Sequence, residues 1–152
     1  MPKFIKEDFR YEAVINELKQ NKIKLTDIRV KIIKVLLKNN HLSTQEIIEE
    51  LQKNNKSINA MSVYNTIDLF LKKHIIFSNT FDGKNIGYEL SSLKSIHIKC
   101  DSCYSVDHVS EELEKLWDIK NFESLVDNKN AKIEHVKIEI HVTCKNCRLN
   151  SN

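Results

Sequence analysis

The chain has 152 residues, enough for one ordinary domain or two small ones. Its 41% hydrophobic content suffices for a core, but no run approaches the roughly 18 consecutive apolar residues of a membrane span, which excludes a transmembrane helix. The small net charge of +3 is unevenly spread: residues 1–81 hold 14 Lys and Arg against 9 Asp and Glu (+5), and residues 82–152 hold 10 against 12 (−2). The basic first half suits nucleic acid as a partner, although the solvated surface of a lysine-rich protein has the same balance.

The N-terminus turns acidic within eight residues and has no apolar run behind it, so it is not a secretory signal. The predicted compartment is therefore the cytoplasm, where thiols stay reduced. No membrane partner is expected.

Four helices are predicted in the first half of the chain. Apolar residues recur at helical spacing over residues 3–20 and 27–38. Ser43 and Glu46 match a capping box, which starts a third helix. A fourth helix is predicted over residues 59–73, whose apolar side chains share one face.

Two short strands are predicted next, at 75–77 and 86–90, with an Asp-Gly turn signal at 82–83. Three short helices followed by a two-stranded hairpin is the order of a winged helix-turn-helix. In that fold the helix over 59–73 would be the recognition helix. An ordinary helical bundle whose polar face meets water fits the same pattern.

The predicted recognition helix exposes small polar and aromatic groups that can contact base edges and phosphates. These DNA-contact candidates are Ser62, Tyr64 and Asn65.

Beyond residue 90 the predicted elements change from helices and a hairpin to strands around a cysteine pair. This change predicts two domains, 1–90 and 91–152. Over residues 132–143 apolar and polar residues alternate, so that one face of the predicted strand is apolar and the other is polar. The second domain is therefore predicted to be a small α+β domain. Its predicted elements are strands at 96–99 and 105–109, a helix at 111–125 and a strand at 132–143.

All four cysteines occur in two C-x-x-C pairs, Cys100 with Cys103 and Cys144 with Cys147. Two such pairs supply the tetrahedral set of four sulfurs that is typical of structural zinc. Redox chemistry is the alternative for a C-x-x-C pair, but no thioredoxin-like strand-helix-strand pattern accompanies these pairs. The pattern therefore favours structural Zn²⁺, and disulfide formation after zinc loss stays open as a secondary behaviour.

Three histidines and one glutamate are candidates for a second metal site: His41, Glu89, His97 and His108. Imidazoles with one carboxylate suit Zn²⁺ or Fe²⁺. Sequence alone does not bring the four together, and a histidine taken singly is more often a surface or partly buried residue with a backbone partner than a metal ligand.

Together these segments resemble the ferric uptake regulator (Fur) family of metal-dependent bacterial repressors, over about residues 23–148. The family's usual proline before the second helix is missing here. The segments that carry the resemblance are KLTDIR at 24–29, HLSTQE at 41–46, SVYNTI at 62–67, YEL at 88–90 and HIKCDSC at 97–103.

The resemblance implies an α+β homodimer, with an N-terminal winged helix-turn-helix domain and a small C-terminal dimerisation domain that holds the four-cysteine zinc site. It implies a repressor that binds a palindromic operator in double-stranded DNA when a regulatory metal occupies the interdomain hinge. The hinge positions carry over as His41, Glu89, His97 and His108. Arg29 would contact phosphate.

Several positions depart from the family pattern and bear on which divalent metal is sensed. A commonly used ligand position holds Ser95, the position of a late ligand holds Val136, and Tyr104 replaces the glycine after the first knuckle. His108 stands where a carboxylate is usual, which makes the site softer and favours Zn²⁺ over Fe²⁺ or Mn²⁺. The zinc-sensing branch often uses an additional cysteine, and none is left over here, so iron or peroxide sensing stays open.

Two other functions fit parts of the pattern. A zinc-stapled protein–protein adaptor would have no salt-dependent DNA affinity. A mononuclear metal hydrolase would need an open metal position beside a general base. The hydrolase is disfavoured because neither of the two glycines lies in a substrate-cradling loop, so the chain is not expected to be an enzyme.

Overall fold

The computed structural model describes residues 3–39, 41–80, 84–91, 96–109, 120–133 and 136–150. The chain divides into an N-terminal unit, Met1–Leu93, and a C-terminal unit, Lys94–Asn152. The sequence predicted a boundary after residue 90. None of the helices in the described ranges is both long and apolar enough to cross a membrane.

The N-terminal unit is a winged helix-turn-helix preceded by one additional helix, as predicted. Its four helices agree with the expected positions to within one residue at each predicted end. The elements are α1 (Lys3–Gln20), α2 (Asp27–Lys38), α3 (Thr44–Asn54), α4 (Ala60–Lys72), β1 (Ile76–Thr80) and β2 (Ile86–Leu90).

The predicted capping box at the start of α3 is complete. The Glu46 N–H donates to the Ser43 hydroxyl at 3.3 Å, and the Ser43 N–H donates to the Glu46 carboxylate at 2.8 Å. Two N–H groups at the helix start are thereby satisfied. At the start of α2, by contrast, the Thr26 hydroxyl makes no capping bond and is buried without a hydrogen-bond partner among the described residues.

Helices α1 and α4 both end in a left-handed residue that is not glycine. Lys22 has φ 56° after α1, and His74 has φ 54° after α4. In the first case the Ile23 N–H bonds to the Leu18 carbonyl at 2.9 Å, which closes a Schellman motif. A residue with a Cβ is strained in this conformation, so each helix end carries a local cost.

The same motif explains why the first wing strand begins one residue later than predicted. The Ile75 N–H donates to the Phe70 carbonyl at 2.8 Å to close the end of α4, so this residue belongs to the helix cap. Strand β1 therefore starts at Ile76, and it extends to Thr80, three residues beyond the predicted end. The predicted Asp-Gly turn at 82–83 lies outside the described residues.

Strands β1 and β2 form an antiparallel hairpin in which Ile76 pairs with Leu90 and Thr80 with Ile86. Packed against the helices, this hairpin is the wing. One core lies beneath the helices and the wing strands. Its buried residues are Val14, Ile15, Leu18, Ile23, Ile32, Ile33, Leu36, Ile47, Ile48, Leu51, Val63, Ile67, Phe70, Ile75, Ile76 and Leu90.

The C-terminal unit is built on a three-stranded sheet in the order β4-β3-β5. Strand β4 is antiparallel to β3, whereas β5 is parallel to it. A parallel pair requires a long crossover, which the chain makes between β4 and β5. The elements are β3 (Ile96–Cys100), β4 (Val106–His108), α5 (Lys120–Glu123), a 3-10 turn (Asp127–Lys129), β5 (Ile138–Val142) and α6 (Lys145–Leu149).

The predicted strand over 132–143 was too long. Strand β5 covers only Ile138–Val142, because it pairs with β3, and the ladder runs from the pair Ile96 with Ile138 to the pair Cys100 with Val142. The alternation continues beyond this ladder, but no partner strand pairs with residues 132, 133, 136 or 137. Alternation alone therefore overestimated the length.

The other predicted elements of this unit also differ in length from the prediction. Strand β3, predicted over 96–99, extends one residue further, to Cys100. The predicted strand over 105–109 is reduced to Val106–His108. Most of the predicted helix over 111–125 lies outside the described residues, and its described end is helical only at Lys120–Glu123.

Because α1 ends in a left-handed residue, substitution by glycine should have opposite effects on the free energy of unfolding at two nearby positions. Lys22→Gly should raise the free energy of unfolding by up to about 1 kcal/mol, because glycine adopts the conformation at the end of α1 without strain. Lys19→Gly, inside the last turn of α1, should lower it by roughly 0.5–1 kcal/mol. Chemical denaturation followed by circular dichroism measures both. A destabilising Lys22→Gly would show that the left-handed residue carries no relievable strain.

Candidate metal centres

The four cysteine thiols converge at one end of the C-terminal sheet. Cys100 ends β3 and Cys103 follows in the tight turn after it. Cys144 is the N-cap of α6, and Cys147 lies inside that helix. The parallel pairing of β3 with β5 brings the two knuckles together, because it places Cys100 opposite Val142, two residues before the second pair.

The sulfur spacing matches the requirement of a tetrahedral zinc ion. The Sγ atoms of Cys100 and Cys147 are 3.9 Å apart, and those of Cys103 and Cys144 are 3.8 Å apart. Zinc–sulfur bonds of about 2.3 Å arranged as a tetrahedron require sulfur–sulfur edges of about 3.8 Å. A disulfide would need about 2.05 Å, so the arrangement fits a metal centre and not two cystines.

Hydrogen bonds within the cluster shift the pKa values of Cys100, Cys103 and Cys147 in different directions. The backbone N–H of Cys144 donates to the Cys100 sulfur at 3.3 Å, and this bond is the main cause that lowers the Cys100 pKa to about 6. Hydrogen bonding by Ser105 lowers the pKa of Cys103. The neighbouring thiols, Cys144 first, raise the pKa of Cys147 to about 12. Without a cation the cluster thus retains protons that zinc would displace.

Tyr104 follows the first knuckle in the left-handed region, with φ 59°. Its N–H donates to the Cys100 carbonyl at 2.9 Å, and this bond closes the knuckle. The turn therefore requires this conformation even though a tyrosine, and not a glycine, occupies the position.

His41, the first hinge candidate, has a strained backbone that is fixed by the wing. Its φ is 66°, and its N–H donates to the Tyr88 carbonyl at 3.1 Å. The Tyr88 N–H returns a bond to the Leu42 carbonyl at 2.8 Å. These two bonds form an isolated bridge between the segment before α3 and strand β2.

Gly87 permits this close approach. A Cβ at that position would lie 2.6 Å from the His41 carbonyl oxygen, closer than two such atoms approach in real structures. Because the obstacle is backbone, a side chain at Gly87 cannot be accommodated by a rotamer change. Glycine is required at position 87 because of the lack of space beside His41, and not because of its backbone conformation, which is that of an ordinary strand.

Glu89 is buried beside His41 in the same unit. Its Oε2 lies 3.7 Å from Nδ1 of His41, and its Oε1 accepts a hydrogen bond from Nδ2 of Asn79 at 2.7 Å. Only 2% of its surface is exposed. Asn79 was not among the predicted site residues. Its signal in the sequence was a polar side chain two residues beyond the predicted strand over 75–77, in phase with Phe77.

His97 and His108 lie in the C-terminal unit. Their Cα atoms are partners in the antiparallel pairing of β3 with β4, and the His97 side chain is buried. The sheet thus brings these two predicted positions opposite each other, as the wing brings His41 beside Glu89.

The predicted DNA-contact residues differ in exposure. Tyr64 and Asn65 are exposed on α4, whereas Ser62 is half-buried and its carbonyl accepts a hydrogen bond from the Thr66 hydroxyl at 2.8 Å. Arg29 is half-buried, and its Nη1 donates to the Lys24 carbonyl at 2.6 Å.

The model of the ferric uptake regulator family matches residues 20–147. The chain belongs to this family. It is a family of metal-responsive regulators, and the chain is 26% identical to the ferric uptake regulation protein of Haemophilus influenzae over 105 residues, which cover 67% of this chain and 72% of that protein.

Solved structures of the family share the fold. The Pseudomonas aeruginosa ferric uptake regulator, solved with manganese, superposes with a TM-score of 0.65 at 20% identity, covering 86% of this chain and 96% of that chain. The Campylobacter jejuni peroxide stress regulator gives a TM-score of 0.65 at 22% identity, covering 88% and 98%. The α+β architecture is that of the Fur fold. The four-cysteine cluster of this chain is consistent with a zinc site.

Zinc loading should release protons at neutral pH. The thiol of Cys147, with its pKa raised to about 12, is protonated at pH 7, and zinc requires the thiolate. Adding Zn²⁺ to metal-free, reduced protein in weak buffer should therefore acidify the solution, and zinc affinity should fall as pH falls. A pH-indicator titration measures the release, with Cys147→Ser as the matched variant that should release fewer protons. Zinc binding without proton release would contradict the assigned protonation states.

Gly87→Ala should destabilise the N-terminal unit by about 1–3 kcal/mol, because the added methyl overlaps the His41 backbone. Ser78→Ala, at an exposed position in the same hairpin, should change stability by no more than about 0.5 kcal/mol. Denaturant unfolding of both variants tests the difference. Equal stabilities would show that the segment at His41 moves aside at little cost.

Proposed function

We propose that this protein is a cytoplasmic, metal-responsive transcriptional repressor that binds a palindromic DNA operator as a homodimer. A regulatory divalent ion bound by His41, Glu89, His97 and His108 would hold the dimer in its DNA-binding form. Family membership supports the general function. The observation that carries the regulatory site is the buried carboxylate of Glu89 beside an imidazole, because a buried charge is costly unless it is paired or binds a cation.

The donor set favours zinc as the regulatory metal. Three imidazoles and one carboxylate are a soft set compared with the oxygen-rich sites that Mn²⁺ prefers. Iron and manganese are the alternatives, and metal analysis of the purified protein distinguishes them. The four-cysteine cluster would retain structural Zn²⁺ in every state, because its sulfur spacing suits that ion.

The DNA-binding surface is proposed to be the exposed face of α4. Tyr64 and Asn65 are exposed there and offer an aromatic ring, a hydroxyl and an amide for base edges or phosphates. Ser62 would contribute where α4 enters the groove. Arg29 would bind phosphate. A guanidinium has five N–H donors, and the hydrogen bond to the Lys24 carbonyl uses only Nη1, so the other nitrogens remain as donors for a phosphate.

Homodimerisation is proposed to use the C-terminal sheet. Among the described strands β5 lies at the sheet edge. Ile140 in this strand and Val136 just before it are 44% and 39% exposed. An edge strand with exposed apolar residues favours pairing with another chain. A second copy supplies an identical edge and apolar face, and it would set two recognition helices at a fixed spacing, as a palindromic operator requires.

Metal control follows if the proposed ligands come from both units. An ion that binds residues of each unit restricts their relative orientation, and it favours the DNA-binding form by its difference in affinity for the two forms. Linkage makes the effect reciprocal, so operator DNA would also strengthen metal binding.

DNA binding should require both the second metal and the exposed face of α4. Duplexes selected from a random pool by zinc-loaded protein should bind tightly, with affinity falling steeply as salt rises because counterions are released. His41→Ala should lose the metal dependence. The double change Tyr64→Ala and Asn65→Ala should weaken binding by at least about tenfold, since each specific base contact contributes roughly 1–3 kcal/mol. Fluorescence anisotropy at several salt concentrations measures all three effects.

Asn54→Ala, which changes an exposed asparagine on α3, is the matched control and should bind DNA like the unchanged protein. The wild-type chain should sediment as a dimer in the same buffers. A dimer that keeps its zinc but has no salt-dependent affinity for any selected duplex would contradict the repressor and favour a protein–protein adaptor.

A further inference from the structure

Asn79 is one of the few polar side chains buried in the N-terminal unit, with 2% of its surface exposed. The hairpin register pairs Asn79 with Gly87 and Phe77 with Glu89. Asn79 and Glu89 are therefore diagonal neighbours on one face of the wing, close enough for their side chains to meet. The register of the wing hairpin therefore places the Asn79 amide beside the Glu89 carboxylate.

The amide binds one specific oxygen of that carboxylate. Nδ2 of Asn79 donates to Oε1 of Glu89 at 2.7 Å, whereas Oε2 of Glu89 lies 3.7 Å from Nδ1 of His41. The two oxygens thus have different surroundings, the first beside a hydrogen-bond donor and the second beside the imidazole of a proposed metal ligand. A hydrogen bond to one carboxylate oxygen orients the group and favours metal binding through the other oxygen.

The carbonyl oxygen of the Asn79 amide lowers the stability of the folded protein. This atom, Oδ1, is buried and has no hydrogen-bond partner among the described residues. Burying an unsatisfied carbonyl is unfavourable, and a leucine of similar size would avoid this cost. The bond to Glu89 is the interaction that accounts for an asparagine at this position.

We propose that Asn79 is a positioning residue that restricts Glu89 to metal binding through one oxygen and thereby tunes the regulatory site toward a four-coordinate ion. This inference rests on the regulatory site proposed above. One oxygen from Glu89 with three imidazoles makes four ligands, the number that suits Zn²⁺. If both oxygens of Glu89 bound, the ligand number would rise and the site would move toward ions such as Mn²⁺ that accept more oxygen ligands.

The test substitutes Asn79 and measures coordination directly. Asn79→Leu keeps the volume and removes the donor, Asn79→Ser leaves a hydroxyl too short to reach Glu89, and Ser78→Ala is the control on the same strand. Each full-length protein is prepared with zinc in the cysteine cluster and then titrated with Co²⁺. Four-coordinate Co²⁺ absorbs visible light much more strongly than six-coordinate Co²⁺, so the spectrum reports the ligand number.

Both Asn79 variants should give a weaker Co²⁺ absorption than the unchanged protein and the Ser78→Ala control. Their preference for Zn²⁺ over Mn²⁺, measured by competition with a chelating indicator, should fall about tenfold, the lower end of what loss of such an orienting partner costs. Asn79→Ser provides the result if Asn79→Leu does not fold, and thermal unfolding and retained zinc identify a folded variant.

Folded variants with an unchanged Co²⁺ spectrum and an unchanged zinc preference would overturn the role of Asn79 while leaving the regulatory site intact. An unsubstituted protein that takes up no second ion would overturn the proposed regulatory site itself, and the inference with it. The first result appears only in the variants and the second before any substitution, so the two failures are distinguishable.

Discussion

The C-terminal unit depends on the meeting of its two cysteine pairs. In its described ranges the buried side chains are few, Ile96, His97 and Cys100, whereas the N-terminal unit has a continuous apolar core. A sheet of three short strands with so little apolar burial needs another source of stability. A metal bound to four thiolates supplies folding free energy directly, because the unfolded chain offers no preformed site. Sheet register and metal site are thus mutually dependent: β3 and β5 carry the knuckles together, and the metal would hold the strands in register.

The N-terminal unit holds two polar ligand candidates, His41 and Glu89, at the edge of an apolar core. Backbone contacts position the first of them. His41 is held in a strained conformation by the bridge to β2, and Gly87 leaves the space for it. Glu89 is then oriented by Asn79 from the neighbouring strand. Strained residues and buried polar groups lower stability, and they persist where the surrounding structure fixes them for a function.

These two constraints together explain how a small protein could respond to a metal. One cation in the cysteine cluster would stabilise a unit, and a second ion at the proposed regulatory site would act on the equilibrium between forms. The sites need different exchange rates, so different donors are expected. Four thiolates bind zinc tightly and close its coordination shell, whereas imidazoles and a carboxylate permit exchange with the surroundings.

The sequence by itself determined the four helices of the N-terminal unit, the wing and the cysteine pairs, because each depends on local pattern. Helical apolar spacing, the capping box at Ser43 and the two-residue spacing within each cysteine pair are readable without a partner. Only the tertiary structure decided the length of β5, the role of Ile75 in a helix cap and the pairing of Asn79 with Glu89. A strand extends as far as its neighbour in the sheet, and a side chain ten residues away in sequence becomes a contact only when the hairpin register is set. These features depend on which segments meet, and alternation along one segment does not contain that information.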